Sequence, residues 1–175
     1  MRIPLLLPLM LVALSLFAQD PKAQRPSPPG QATFSFAGDN KKITVDYSRP
    51  SMKGRKIMGE LVPYDKVWRT GANDATLFTT EANLEFGGAK VPAGKYTLFT
   101  IPGKDTWTVI VNQETGQWGN KYNEAKDLVR VKVKPAHLEQ PVEQFTISLE
   151  HTGEKSGVMK LEWENTSVPV EFSEK

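Results

Sequence analysis

The amino-acid sequence predicts an all-β protein: a single antiparallel β-sandwich or jelly-roll-like domain with two long loops. About ten short segments alternate apolar and polar residues with a period of two, as strands do when one face is buried and the other is solvated. Turn signals rich in Gly, Pro and Asn separate these segments every ~8–12 residues. Almost no segment repeats with the helical period of about 3.6. This pattern favours a sandwich.

The first predicted strands occupy the chain from about residue 33 to residue 86. The segment TFSFA precedes KITVDYS, which places Ile43, Val45 and Tyr47 on one face and Thr44 and Asp46 on the other. The segments ATLFTT and ANLEF follow. ANLEF ends in Gly-Gly, which predicts a hairpin turn because glycine adopts the positive φ that tight turns require.

The second half of the chain continues the same alternation. KYTLFTI and TWTVIVN flank PGKD, a Pro-Gly turn that predicts a hairpin. LVRVKVK alternates its valines with Arg130 and Lys132. FTISLE and MKLEWE flank the Gly-bearing loop HTGEKSG, which predicts another hairpin, and VPVEF is the last predicted strand.

Two segments are too long for tight turns. The first covers residues 49–74 and contains one predicted helical turn at residues 56–61; the second covers residues 113–127. Loops of this length are uncommon in a compact domain and often carry function. Candidate site residues are therefore expected in these two loops.

The first 18 residues have the layout of a secretory signal peptide. Arg2 precedes an apolar run over residues 3–17, and Ala18 supplies the small residue of the predicted cleavage site. The run is shorter than the ~20 apolar residues of a membrane span, and Pro4 and Pro8 interrupt it. We therefore expect a periplasmic or secreted protein, cleaved near Ala18, with no stable membrane span after cleavage.

The composition of residues 19–175 indicates a short leader followed by one domain. Residues 19–31 are Pro-rich and polar, which predicts a flexible leader before one domain at residues 32–175. The chain has no cysteine, so a hydrophobic core must stabilise it without disulfides. Its 22 basic and 20 acidic residues nearly balance, which gives no broad field to attract nucleic acid. We expect no nucleic-acid partner.

The first loop concentrates guanidinium groups near an aromatic residue. It contains Arg49, Arg55 and Arg69, with Trp68 beside Arg69, and it ends near Asn73. Arginine binds carboxylate or phosphate bidentately, and an aromatic ring beside it stacks on a sugar. These residues predict a site for a small anionic or carbohydrate ligand. In the alternative, the arginines hydrogen-bond loop carbonyls and Trp68 fills the core.

The second loop offers two aromatic residues between glycines. Trp118 and Tyr122 lie close to Gly116 and Gly119, so they could form a ligand platform or a plug over an open end of the sandwich. If both loops lie at one end of the domain, these aromatics and Arg69 share a pocket.

Catalytic and metal-binding motifs are weak by comparison. His137 and His151 form no pair at metal-ligand spacing, and no nucleophile motif accompanies them. We therefore expect no metal and no cofactor. A carboxylate pair acting on a glycan leaves no local motif, so Asp46, Glu60 and Asp74 are candidate acids or bases of a hydrolase.

The longest motifs resemble one bacterial family. VDYSRPSMKGRKIMGELVPYDKVWRTGANDAT, PAGKYTLFTIPGKDTWTVIVN, QWG and LVRVKVKP are together similar to the family described as domain of unknown function number twenty-nine eleven, over roughly residues 33–172. The resemblance implies export and no particular activity, because the family has none assigned. One departure is Asp65, where the family pattern leads us to expect glycine in VPYGKVWR.

The sequence as a whole favours an exported small-ligand or carbohydrate-binding or structural module over an enzyme. One alternative is a periplasmic hydrolase that acts on a glycan or related polymer. Another is a scaffold with no small-molecule site. The position of Arg69, in an open pocket or against backbone carbonyls, distinguishes binding from bracing.

Overall fold

A computed structural model describes residues 26–38 and 40–175, and these residues form an antiparallel β-sandwich, as predicted. The predicted signal peptide and most of the predicted leader lie outside the described residues. In the described part the strands are β1 (Pro29–Ser35), β2 (Lys42–Ser48), β3 (Thr76–Thr80), β4 (Leu84–Phe86), β5 (Ala89–Val91), β6 (Gly94–Ile101), β7 (Trp107–Asn112), β8 (Asp127–Val133), β9 (Ala136–Gly153) and β10 (Ser156–Glu174). A short 3-10 helix, Glu124–Lys126, precedes β8.

The strands form two sheets that pack face to face. The larger sheet has six strands in the order β1-β2-β3-β6-β7-β8, and the smaller has four in the order β5-β4-β10-β9. Every strand pair is antiparallel. The hairpins predicted at Gly-Gly, at PGKD and after FTISLE are all present, as β4-β5, β6-β7 and β9-β10. Gly87 and Gly88 have φ values of 53° and 84°, the conformation for which glycine was expected.

The core lies between the two sheets and follows the predicted alternation. Ile43 and Val45 of β2 are fully buried, whereas Asp46 between the apolar positions is on the opposite face. Phe86 of β4 and Trp163 of β10 are among the largest fully buried side chains of the opposing sheet. Burial of each such apolar side chain contributes about 1.5–3 kcal/mol, so packing between the two sheets is the main source of stability in this disulfide-free domain.

The last two strands are longer than predicted. MKLEWE and VPVEF belong to a single strand, β10, whose pairing with β9 shifts register around Glu164. Glu164 has a φ of 54°, and its carboxylate accepts hydrogen bonds from the backbone N–H groups of Ile57 and Met58. The irregularity lets one strand continue through two alternating blocks and ties the first loop to the smaller sheet.

The helical turn predicted at residues 56–61 is wrong. The backbone N–H of Val62 donates to the Ile57 carbonyl oxygen at 2.9 Å, and Gly59 has a φ of 85°, which ends any right-handed helix there. The segment is a tight turn because Ile57, Met58 and Val62 are all buried. Packing of these side chains into the core overrides their local helical preference.

Trp68 packs into one end of the core. Its ring stacks on Trp163 at 5.9 Å and meets Phe145 edge-on at 5.0 Å. Its backbone exchanges two hydrogen bonds with Thr100 of β6, at 2.7 and 2.9 Å. The interpretation of Trp68 as a core residue is therefore supported, and this anchor determines where the adjacent Arg69 lies.

Candidate functional site

The second loop folds over the outer face of the six-stranded sheet. Phe99 and Ile110 are completely buried, yet they do not belong to the core cluster between the sheets. The ring of Tyr122 packs against Phe99, with centroids 4.9 Å apart. Tyr122 thus covers Phe99 on the outer face of the sheet, whereas the predicted plug covered an open end of the sandwich.

A polar network fixes the end of this loop. The Tyr122 hydroxyl donates to Asp127 Oδ2 at 2.6 Å, and Arg130 Nε donates to the same oxygen at 2.7 Å. Asn112 Nδ2 donates to the other carboxylate oxygen at 2.8 Å. Burial, together with the hydrogen bond and negative charge of Asp127, raises the pKa of Tyr122 to about 12. The Tyr122 hydroxyl therefore stays protonated at neutral pH and joins the second loop to Asp127 and Arg130 by hydrogen bonds, and we call this arrangement the Tyr122 latch.

The two long loops pair with each other at one end of the sandwich. Asp74 and Trp118 form an antiparallel bridge. The Gly119 N–H donates to the Asn73 carbonyl oxygen at 3.2 Å, and the Ala75 N–H donates to Gln117 at 3.4 Å. Fold topology thus brings together segments that are about 40 residues apart in the chain.

The backbone just before this pairing is strained. Thr70 is β-branched and fully buried but has a φ of 54°, a conformation that costs about 1–3 kcal/mol. Thr76 Oγ1 donates to the Thr70 carbonyl oxygen at 2.7 Å, and the hydroxyls of Thr70 and Thr100 are 3.2 Å apart. At Gly71 a Cβ atom would lie only 3.0 Å from the Ser48 carbonyl oxygen. Strain of this kind concentrates at functional sites.

A cavity of about 600 Å³ opens beside the paired loops. Its floor is a row of outward residues in register across three strands, Asp46 on β2, Leu77 on β3 and Thr97 on β6. The second loop and the start of β1 form its walls. The lining residues are Pro29, Gly30, Asp46, Tyr47, Ser48, Asp74, Ala75, Leu77, Thr97, Gly116 and Gln117.

The cavity is acidic and rich in hydrogen-bonding groups. Asp46 and Asp74 line it, and no lysine or arginine occurs among the described lining residues. Asp46 Oδ1 accepts a hydrogen bond from Gln31 Nε2 at 2.7 Å. The Thr97 hydroxyl donates to the Glu114 carbonyl oxygen at 2.7 Å, as does Gln117 Nε2 at 3.1 Å. These bonds hold the wall formed by the second loop against the floor.

Two of the predicted arginines brace the first loop. Arg49 donates from Nε to the Phe145 carbonyl oxygen at 3.3 Å and from Nη2 to Thr146 Oγ1 at 3.0 Å. Arg55 donates to two carbonyl oxygens of its own loop, at 2.9 and 2.7 Å. Neither residue lines the cavity.

The other predicted residues lie at the loop junction. The Asn73 side-chain amide donates to the Ser27 carbonyl oxygen and to Ser48 Oγ, both at 3.2 Å. Trp118 is 49% exposed. Arg69 is half-buried, and its Nε–H is buried with no acceptor among the described residues. The structure thus brings Arg69, Asn73 and Trp118 together beside the cavity, and it places the Tyr122 ring against Phe99 on the outer face of the sheet.

Sequence reasoning missed several residues of the cavity wall and floor. Ser48, Thr97 and Gln117 were not among the predicted site residues, because each stands in an unremarkable strand or turn pattern. Asp46 and Asp74 were considered only as possible hydrolytic carboxylates, and the third such candidate, Glu60, instead pairs with Lys56 at 3.5 Å on an exposed turn. The available signal was the outward position of Asp46 in KITVDYS.

Metal and membrane features are limited. Across residues 26–38 and 40–175, no cluster of three or more His, Cys, Asp or Glu side chains is arranged to hold a metal ion. The part of the chain that the structure describes also contains no helix with the length and apolarity of a membrane span.

Comparison with known proteins establishes the family. No curated protein and no solved structure matches the chain. The model of the family described as "Protein of unknown function (DUF2911)" matches residues 27–172, nearly the whole described region. The chain therefore belongs to the DUF2911 family, as its YSRP, VPYxKVWRTGAN and QWG motifs predicted.

Proposed function

We propose that this protein is an exported binding protein that takes a hydroxyl-rich ligand, a carbohydrate unit, into the cavity on the outer face of the larger sheet. One observation carries the proposal: the cavity, about 600 Å³ in volume, combines two aspartates, hydroxyl groups and an amide in its lining. Its volume lies within the ~300–1,000 Å³ of typical small-molecule sites.

The lining chemistry favours a ligand that donates hydrogen bonds. Sugar hydroxyls donate readily to carboxylate oxygens, and such charge-assisted hydrogen bonds are stronger than neutral ones. A free inorganic anion would meet the negative charge of Asp46 on the floor of the cavity. The arginines that suggested an anionic or carbohydrate ligand do not line the cavity, and two of them donate to backbone carbonyl oxygens.

An exposed aromatic beside the cavity supports the same ligand class. Trp118 is 49% exposed and directly follows Gln117, which lines the cavity. An indole ring offers a large apolar face for the C–H surface of a sugar ring. Ligand would thus be held by carboxylates on one side and by an aromatic face at the rim.

Binding tests the proposal directly. The purified protein is applied to an array of neutral and acidic oligosaccharides, and each positive glycan is measured by calorimetry with wild type, Asp46→Asn and Trp118→Ala. We expect at least tenfold weaker binding in both variants, which corresponds to about 1.4 kcal/mol. The matched control is Asp105→Asn, in the exposed PGKD turn outside the cavity lining. Absence of any glycan binding, or equal binding by all four proteins, would refute the proposal.

Export is tested separately. Mass spectrometry of the protein recovered from the producing cells should show an N-terminus at Gln19, because the sequence places the cleavage after Ala18. An intact N-terminus, or recovery from the cytoplasmic fraction alone, would contradict export.

A second candidate function is glycan hydrolysis, which one observation favours: two carboxylates, Asp46 and Asp74, line the same cavity. Glycosidases use such a pair as acid and base or as acid and nucleophile. The assay is release of reducing ends from the oligosaccharides that bind. Loss of release in both Asp46→Asn and Asp74→Asn, with binding retained in at least one, would establish the enzyme; binding without any release would leave a binding protein.

A further inference from the structure

We infer that Arg69 binds an acidic group, a carboxylate or phosphate, carried by the ligand of the cavity. The inference rests on the proposed function, because the acidic group belongs to the same ligand. It narrows the ligand class from carbohydrates in general to saccharides with a uronic acid or phosphate substituent.

Arg69 differs from the other arginines of the loops and the neighbouring strand. Arg49 and Arg55 donate to protein oxygens, and Arg130 forms ion pairs with Asp127 and Glu124 at 2.7 and 2.8 Å. The Nε–H of Arg69 is buried without an acceptor among the described residues. A buried donor that has no acceptor destabilises the folded protein, and the destabilisation is greater when the donor group is charged. An oxyanion at this guanidinium would supply both the missing acceptor and the countercharge.

Arg69 lies within reach of a ligand in the cavity. The Cδ atom of Arg69 and the Asn73 carbonyl oxygen both lie against Gly119, 2.2 and 2.6 Å from where its Cβ would be. Two residues before Gly119, Gln117 lines the cavity, and Asp74, the residue after Asn73, lines it too. Two residues of extended chain span ~7 Å. A substituent that projects from the cavity along the paired loops therefore reaches Arg69.

Charge determines which end of such a ligand enters the cavity. The negative charge of Asp46 repels an acidic substituent from the cavity itself and favours hydroxyl groups there. Arg69, whose Cδ atom lies against Gly119, carries a positive charge at the other end of the loop pairing. The ligand is therefore oriented, with its neutral ring over the sheet and its acidic group at the loop junction.

The buried Nε–H of Arg69 lies next to the second loop, whose Gly119 packs against the side chain of Arg69. Because Nε is buried and the adjacent Cδ atom packs against Gly119, we expect an oxyanion to pair with Nε only after the segment at Gly119 shifts outward. This shift would break the hydrogen bond from the Gly119 N–H to the Asn73 carbonyl oxygen. Binding of an acidic ligand should thus change hydrogen exchange at residues 117–119, whereas a neutral ligand should not need this movement.

The experiment compares matched ligands on wild type, Arg69→Gln and Arg69→Lys. The probes are galacturonic acid and galactose trisaccharides, glucose 6-phosphate and glucose, and inorganic phosphate, measured by calorimetry. We expect the acidic member of a pair to bind wild type at least tenfold tighter, with a preference that weakens as salt is added. Arg69→Gln should lower the ratio towards one without changing neutral binding, and Arg69→Lys should retain part of it. The uronate and phosphate pairs identify which oxyanion is recognised.

The control variant is Arg55→Gln, which removes a loop guanidinium that lies outside the cavity lining. It should leave the acidic-to-neutral ratio unchanged. Equal affinity of both members of each pair for wild type, or equal weakening of both in Arg69→Gln, overturns this inference and leaves the proposed function standing. Inorganic phosphate binding as tightly as glucose 6-phosphate would also overturn it, because the acidic group would then need no saccharide. Failure of every saccharide to bind overturns the proposed function and this inference together.

Discussion

Removal of the Tyr122 hydroxyl should destabilise the second loop while leaving its apolar packing in place. The Tyr122→Phe variant keeps the ring against Phe99, at 4.9 Å, and loses the hydrogen bonds to Asp127 and from Arg130, at 2.6 and 2.8 Å. A hydrogen bond to a charged group contributes about 1.5–3 kcal/mol. Asp127 retains Asn112 and Arg130 as donors, and the site is partly exposed, so we expect a net loss of about 1–2 kcal/mol.

The stability that the Tyr122 hydroxyl contributes should also depend on pH. Burial and Asp127 raise the folded-state pKa of Tyr122 from 10.0 to about 12. The contribution of its hydroxyl is therefore fully present below pH 10, where tyrosine is protonated in both states. It is lost as the pH rises from 10 towards 12, because the unfolded state then releases its proton first. The stability difference between wild type and Tyr122→Phe should shrink over this interval.

The assay is urea unfolding monitored by circular dichroism at a series of pH values from about pH 8 to about pH 11. The matched control is Tyr64→Phe. The Tyr64 ring packs against Gly59, and its hydroxyl makes no hydrogen bond within the described residues, so a change below ~0.5 kcal/mol is expected. If Tyr122→Phe and Tyr64→Phe are equally stable at neutral pH, or if the Tyr122→Phe difference does not decline above pH 10, the latch reasoning is wrong.

Three further substitutions test separate parts of the fold. Asp65 has a φ of 60°, so Asp65→Gly should relieve left-handed strain and raise the urea midpoint by the equivalent of up to about 1 kcal/mol; an unchanged or lower midpoint would contradict this. In Gly119→Ala the new Cβ would lie 2.6 Å from the Asn73 backbone carbonyl oxygen and 2.2 Å from Arg69 Cδ, so we expect a loss of about 1–3 kcal/mol in thermal unfolding, with Gly119→Ser no better. Trp68→Ala removes a ring that contacts three core aromatics and should cost about 3–5 kcal/mol; a loss below ~1 kcal/mol would mean that Trp68 is not a core residue.

Local sequence patterns were sufficient where the structure depends on neighbours in the chain. The alternation in KITVDYS predicted the buried Ile43 and Val45 and the outward Asp46, because the side chains of successive strand residues point to opposite faces. Gly-Gly predicted the turn at Gly87 for an equally local reason, its positive φ. The glycine expected at residue 65 came from the family resemblance, and it agrees with the left-handed conformation that Asp65 adopts.

Long-range packing decided what the local pattern could not show. Residues 56–61 carry a plausible helical turn, but burial of Ile57 and Met58 and the carboxylate of Glu164 impose a tight turn instead. One strand, β10, absorbs two predicted strands because an irregularity at Glu164 preserves the pairing with β9. Neither outcome is encoded within a short window of sequence.

The candidate site divides in the same way. The sequence by itself determined the fold class, the two long loops and the chemistry that those loops carry, because alternation and residue type are local properties. Only the tertiary structure decided that Arg49 and Arg55 brace the chain and that the Tyr122 hydroxyl holds the second loop. It also decided that Arg69 and Trp118 both lie at the junction of the two loops, beside a cavity lined by Asp46. The physical reason is that strand order and loop pairing join residues about 40 positions apart, and loop closure over such a distance leaves no periodic trace in the sequence.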